Sequence, residues 1–207
     1  MDAAKKNGKI KVIYYKENGG KGSALKNGFK YCSGRYVTFI DADLDLHPKQ
    51  LTNFITYIEN TETDVVVGSK RHPLSKINYP KTRKILSEGY HLITKALFHL
   101  DITDTQTGLK LFKYEVLEDT LPKIICKKYA FDLELLVNIN YHGWKIDELP
   151  IKLEWQRNKN RLKINDIWKL SLDTASIFYR YKILKKQKNK ELLYKLKIPN
   201  KTINVEK

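Results

Sequence analysis

The sequence predicts an α/β fold, and three observations carry that prediction. Two short runs of β-branched and aromatic residues, Tyr36 to Ile40 and Asp64 to Gly68, have the length and composition of buried strands. Between them, Pro48 to Glu59 repeats its apolar residues Leu51, Phe54, Ile55 and Ile58 at helical spacing. Both strands end abruptly in charge, Asp41-Ala42-Asp43-Leu44-Asp45 after the first and Ser69-Lys70-Arg71-His72 after the second. Ligands of open α/β sheets bind at the carboxyl ends of strands, so these two ends mark one candidate site.

In chain order, a polar start leads into Lys9 to Tyr15, which reads as a strand with no βα unit before it. Asn18-Gly19-Gly20-Lys21-Gly22-Ser23 is a glycine-rich turn feeding a helix with Ala24, Leu25 and Phe29 toward the core. Backbone N–H groups at such a helix start, together with a lysine, can cradle phosphate. A plain turn is the competing reading, because glycine-rich turns are common. Gly34 then turns the chain into the acid-tipped strand. Side chains two apart on an extended backbone point the same way, so Asp41 and Asp43, with Asp45 as a looser third, can face one cation. Hard oxygen ligands suit Mg²⁺ or Mn²⁺, which commonly bridges to phosphate. The alternative makes the acids caps for the helix beginning near Pro48. Lys70 and Arg71 either take up phosphate charge that a cation leaves, or belong to a solvated loop.

Lys81 to Leu100 reads as an amphipathic helix with Ile85, Leu86, Leu92, Ile93, Ala96, Leu97 and Leu100 on its apolar side. Such a stripe packs on a core or lies on a membrane surface. His91 and His99 have no partner at metal-ligand spacing. Asp104 to Phe112 is a polar loop running into a strand. Tyr129 to Leu136 opens a helix whose first turn holds Asp132 and Glu134; they compensate the helix dipole, or one of them borders a reacting sugar. Gly143 to Trp155 is a last strand broken by Pro150, which places it at an edge. A basic loop, Gln156 to Arg161, follows. Asn165 to Leu184 is a second amphipathic helix with Trp168, Tyr179 and Tyr181 beside lysines, and a lysine-rich tail begins at Lys185.

A chain of 207 residues suffices for one domain with a sizeable core. Its formal charge of +16 favours an anionic partner: nucleic acid, an acidic membrane surface or a phosphorylated substrate. Nucleic acid is the weakest of these, since the aromatics follow amphipathic stripes and do not interleave with basic patches. Cys32 and Cys126 are the only cysteines, and no signal peptide is evident, so a reduced, cytosol-facing location is expected. No apolar run is long enough to span a bilayer.

Taken together, Asn18-Gly-Gly-Lys-Gly-Ser-Ala-Leu, Phe39-Ile-Asp-Ala-Asp-Leu, Val66-Val-Gly-Ser-Lys-Arg, Asp104-Thr-Gln-Thr-Gly-Leu-Lys-Leu-Phe, Ala130-Phe-Asp-Leu-Glu-Leu-Leu and Glu148-Leu-Pro-Ile resemble the family 2 glycosyltransferases of GT-A fold. Within that family they resemble the dolichyl-phosphate glucosyl- and mannosyltransferases. The resemblance runs from residue 10 to about 165. It implies a Rossmann-like GT-A domain over residues 1–162 that lacks the family's first βαβ unit; by their own composition, residues 163–187 read as an amphipathic helix that packs against the domain or lies at a membrane interface, and 188–207 as a basic tail. It also implies that Asp41 and Asp43 are the DxD motif holding Mg²⁺ or Mn²⁺ on the diphosphate of a nucleotide sugar, with Asp45 a less regular third ligand. Lys21, Lys70 and Arg71 fall at phosphate-contacting positions, Asp104 and Gln106 in the loop beside the donor sugar, and Arg157 and Arg161 in a late basic loop that closes over the phosphates. That last loop lacks the glycine relatives tend to carry there.

The implied reaction is an inverting transfer of glucose or mannose from UDP-glucose or GDP-mannose to a polyprenyl phosphate, at the cytosolic face of a membrane. A lipid phosphate is already ionised and needs no general base; Arg83 and Lys84 are candidate contacts for it. If the acceptor is a sugar hydroxyl, as in cell-surface glycan synthesis, Asp132 is the candidate base. A third possibility is a non-catalytic module that binds anionic membrane.

Overall fold

The computed structural model describes residues 10–14, 16–43, 45–77, 81–128, 130–154 and 164–184, without the side chains of 81–86, 164–167 and 184. The expectations for Arg157, Arg161 and the tail at 188–207 fall outside the described residues, as does the Arg83 side chain.

The glycine-rich turn enters helix α1, Lys21–Phe29, and the acid-tipped strand is β1, Tyr36–Ile40. A 3₁₀ turn, Pro48–Gln50, runs into α2, Leu51–Asn60, and β2, Val65–Ser69, follows with every residue buried. The short β3, Lys76–Ile77, precedes the long α3, Lys81–Phe98. Next come β4, Leu109–Lys113, α4, Tyr114–Thr120, and α5, Phe131–Tyr141. The chain continues through β5, Ile146–Pro150, and β6, Lys152–Leu153, to α6, Ile164–Phe178, which continues as a π-helical turn, Tyr179–Leu184.

Four strands form one sheet in the order β1-β4-β2-β5, and β3 pairs with β6 in a second, two-stranded sheet. β4 is antiparallel to both β1 and β2, while β2 and β5 are parallel. The carboxyl ends of β1, β2 and β5 and the amino end of β4 therefore lie on one edge. β5 is an outer strand, as Pro150 predicts, since proline cannot donate to a ladder on both sides.

Alternation sends side chains to two layers. Val37, Phe39, Val65, Val67 and Phe112 pack with α4 and α5, and Val66, Leu109 and Leu111 pack with Phe54 and Ile58 of α2. The last helix rests on the first of these layers through Ile177 and Tyr181, and the Tyr90 and Thr174 hydroxyls stand 3.2 Å apart between α3 and α6. Its other face leaves Trp168, Leu172, Tyr179 and Ile183 exposed. Among the described residues, no helix is long and apolar enough to cross a membrane.

One expected element is absent. Residues 10–14 join no ladder, and Ile10, Val12 and Tyr14 are exposed. A strand-like pattern produces a strand only where a neighbour takes its hydrogen bonds. The helix α4 had no counterpart in the sequence reading.

Candidate active site

The acids of the first strand end are not helix caps. His47 caps the 3₁₀ turn, its Nδ1 accepting from Lys49 N, which leaves the aspartates to other partners. Asp41 follows β1 directly and donates its backbone N–H to the Gly108 carbonyl at 3.2 Å, which places it against the loop that enters β4. That approach leaves no room for a side chain at 108 while the Asp41 carboxylate stays in place, because a Cβ there would stand 2.2 Å from Asp41 Oδ2. Asp43 Oδ1 accepts the Asp45 N–H at 3.3 Å, and the Asp45 carbonyl accepts from Glu154 N at 2.9 Å. The aspartate turn is thereby tied at both ends, to the β4 loop and to the segment after β6.

Lys21 opens α1 at the same edge. Gly20, at φ 86°, takes the left-handed conformation that lets the turn enter the helix. The Gly22 N–H bonds the Lys127 carbonyl at 2.9 Å, seating the helix start on the loop before α5. The Lys21 ammonium lies between two carboxylates, 2.9 Å from Asp132 Oδ2 and 3.3 Å from Asp41 Oδ1. Burial draws Lys21 down, but the two carboxylates prevail and hold it above the usual lysine value.

Asp132 is almost wholly buried, and its other oxygen meets the buried Lys110 ammonium at 2.8 Å. Burial alone would raise the Asp132 carboxyl; the Lys110 and Lys21 charges outweigh it and hold it below the usual aspartate range. A general base needs a pKa near the working pH and an oxygen facing the substrate. Both Asp132 oxygens are occupied by ammonium groups, and the carboxylate anchors Lys21. Glu134, the other acid of that helix turn, is fully buried and accepts from Ile125 N, Cys126 N and Arg180. It ties the last helix to the core, and neither acid caps α5.

The second strand end is braced in the same way. Asp104, 2% exposed, accepts the Lys70 backbone N–H at 3.1 Å and the Lys70 ammonium at 3.0 Å on Oδ2, and the Gln106 N–H at 3.2 Å on Oδ1. Burial opposes ionisation of Asp104, yet Lys70 holds the carboxyl below the usual range. Glu148 of β5 accepts from Thr103 N and Asp104 N, each at 2.8 Å, and so fixes the loop from below. Arg71 turns to α3, donating to Glu88, Ser87 Oγ and the Thr103 carbonyl. Lys70 and Arg71 thus brace the loop after β2. Gln106 Nε2 and Thr107 Oγ1 are buried without a hydrogen-bond partner among the described residues.

The aspartate turn suits a hard divalent cation. Its donors are carboxylate oxygens, and the buried Asp45 Oδ1 has no partner among the described residues, as expected of an oxygen that water or a cation satisfies. Among the described residues no three acid, histidine or cysteine side chains converge to hold a metal ion, so the three aspartates do not form a closed cage. Mg²⁺ needs none, since it commonly uses one or two carboxylates together with phosphate oxygens and water.

Asp41, Asp43, Lys21, Lys70, Asp104 and Gln106 therefore all belong to one edge of the sheet. The sequence reading missed two groups that order it. Lys110 was visible only as a lysine amid Leu109, Leu111 and Phe112, and Glu148 only as an acid before Leu-Pro.

Residues 2–121 match the family described as Glycosyl transferase family 2. The chain is 32% identical over 186 residues to a dolichyl-phosphate beta-glucosyltransferase of Trichomonas vaginalis, covering 83% of this chain and 52% of that protein. It is 30% identical over 188 residues to the dolichyl-phosphate beta-glucosyltransferase of Saccharomyces cerevisiae, covering 83% and 55%. That of Dictyostelium discoideum is 28% identical over 185 residues, covering 78% and 57%. The chain spans about half the length of the curated relatives it matches. In fold it is similar to glucosyl-3-phosphoglycerate synthase of Mycobacterium tuberculosis. The complex of that enzyme with Mn²⁺, uridine diphosphate and glucosyl-3-phosphoglycerate superimposes with a TM-score of 0.59 at 17% identity, covering 83% of this chain and 56% of that one. Its complex with Mg²⁺ and uridine diphosphate gives 0.57 at 16% identity, with the same coverage.

Proposed function

The chain belongs to glycosyl transferase family 2, and from that premise we propose that its strand-end site moves a hexose from a nucleotide sugar to a polyprenyl phosphate, inverting the anomeric carbon. The donor we propose is UDP-glucose, in keeping with the glucosyltransferase relatives and with the uridine diphosphate bound by the structural neighbours.

The observation that carries this reading is the occupied state of the buried acids. Transfer to a hydroxyl requires a group to take its proton, and a phosphate acceptor does not. Asp132 gives both oxygens to Lys110 and Lys21, and Asp104 gives both to Lys70 and the Gln106 N–H. Neither is presented to a substrate as a proton acceptor. The site is built to bind and orient anions.

Asp41 and Asp43 would hold Mg²⁺ or Mn²⁺, whose charge stabilises a departing nucleoside diphosphate. Lys21, anchored by Asp132 at the mouth, offers a further positive charge to the same diphosphate. Gln106, whose buried Nε2 has no partner among the described residues, lies in the loop proposed to border the donor sugar. Arg83 would meet the acceptor phosphate, and Lys70, Arg71, Arg157 and Arg161 the donor phosphates. The exposed Trp168, Leu172, Tyr179 and Ile183 recur at spacings of four, seven and four, which aligns them on one helix face. With Lys169 and Lys182 nearby, that face supports a peripheral position on the cytosolic surface of a membrane.

The test is transfer of labelled glucose from UDP-glucose to dolichyl phosphate in Mn²⁺-containing detergent micelles. Wild-type protein is expected to label the lipid, and Asp132→Asn is expected to raise the donor KM. A kcat loss of about a hundredfold or more in Asp132→Asn at unchanged KM is the mark of a lost general base and would contradict the reading.

A further inference from the structure

Lys110 stands in the interior of β4, with β1 on one side and β2 on the other, and is 1% exposed. An ammonium group withdrawn from water is tolerated there only if a carboxylate and hydrogen bonds replace the water. Both are present: Asp132 Oδ1 at 2.8 Å and the carbonyl of Thr107. A pair that served stability alone would close on itself. This pair continues outward, because the second Asp132 oxygen holds Lys21, and Lys21 reaches Asp41. Four alternating charges thus run from the core to the mouth of the site: Lys110, Asp132, Lys21 and Asp41.

Lys21 has two partners of unequal quality. Asp132 is closer, at 2.9 against 3.3 Å, and its side chain is 6% exposed where that of Asp41 is 44%. Solvent and salt screen the Asp41 contact far more than the Asp132 contact. The buried carboxylate is therefore the anchor and Asp41 the partner that can be released. The anchor in turn depends on Lys110, which fixes its orientation from below.

We infer that Lys110 is a positioning residue that acts through Asp132 on Lys21. It keeps Lys21 anchored inward, so that Asp41 is free to turn to a cation while the Lys21 ammonium remains beside it for the donor diphosphate. This inference rests on the transferase reading of the site. Without Lys110, Asp132 keeps only Lys21 as a countercharge among the described residues, and Lys21 loses its fixed stance.

Calorimetric binding of UDP in the presence of Mn²⁺ tests this with wild-type protein, Lys110→Met, Lys21→Met and the double variant. Lys110→Met is expected to weaken binding about tenfold, in the range of couplings between contacting charged groups. In the Lys21→Met background, the same change is expected to add nothing. A structural role would cause the loss in both backgrounds, so equal losses overturn the inference. An undiminished affinity in Lys110→Met overturns it as well. If Lys110→Met does not fold, Asp132→Asn, which keeps the side-chain volume, must show the same dependence on Lys21. Failure of wild-type protein to bind Mn²⁺ and UDP refutes the transferase reading itself, and the inference with it.

Discussion

Gly108→Ala separates the cation site from the fold. A Cβ at 108 would stand 2.2 Å from Asp41 Oδ2, 2.6 Å from its Cγ and 3.0 Å from its Cβ. Ordinary carbon–oxygen contacts are about 3.3 Å or longer, so the carboxylate must retreat by roughly 1 Å. The backbone itself accepts alanine, since φ at 108 is not positive. Asp41 has solvent to turn into, its side chain being 44% exposed, and the contact it gives up is the ion pair with Lys21. A partly exposed pair of this kind contributes about 1 kcal/mol at most. The melting temperature should therefore fall by only about 2–4 °C. Mn²⁺-dependent UDP binding should weaken by at least about tenfold, as when a metal ligand is displaced from its productive orientation. Differential scanning fluorimetry and calorimetry on the same preparation give both numbers. Unchanged affinity would show that Asp41 does not hold the cation. A loss of more than about 3 kcal/mol of stability would place Gly108 among the structural glycines of the core.

Two further expectations concern buried charge. Glu134→Ala leaves Ile125 N, Cys126 N and Arg180 without their acceptor; it should cost about 3–5 kcal/mol in urea denaturation, and a cost below 1 kcal/mol would mean that the last helix is not held there. Asp104 and Asp132 are both held below the usual aspartate value in the folded chain. As pH falls, the unfolded chain takes up their protons first. The stability they contribute is complete above about pH 4 and is lost as pH falls from there through their depressed values. Melting curves between pH 6 and 2 should show that loss, and Asp104→Asn should make it shallower; an unchanged slope would remove Asp104 from the list of ionised partners.

The parts of the fold visible in the sequence were those set by local periodicity and by abrupt changes of polarity. β1 and β2 announce themselves as apolar runs that stop in charge, and α2 and α6 as stripes at helical spacing. The charged ends of β1 and β2 share an edge because both strands run antiparallel to β4, which lies between them. Groups that act across the sheet left weaker traces. Lys110 reads locally as one lysine among many, and its meaning comes from Asp132, 22 residues later. Glu134 and Arg180 are 46 residues apart and meet only when the last helix folds back. His47 took the capping role that the sequence left open to the aspartates, because an imidazole nitrogen lay in reach of the Lys49 N–H. Lys9 to Tyr15 shows the converse: alternation without a neighbouring strand did not produce a ladder in residues 10–14.

The central claim is that the aspartate turn binds a nucleoside diphosphate through a divalent cation. Titration of this chain with UDP, with and without Mn²⁺, and again for Asp43→Asn, tests it most directly. Binding that requires Mn²⁺ and disappears in Asp43→Asn is the predicted result. Binding of equal strength without Mn²⁺, or unaltered in Asp43→Asn, would contradict it.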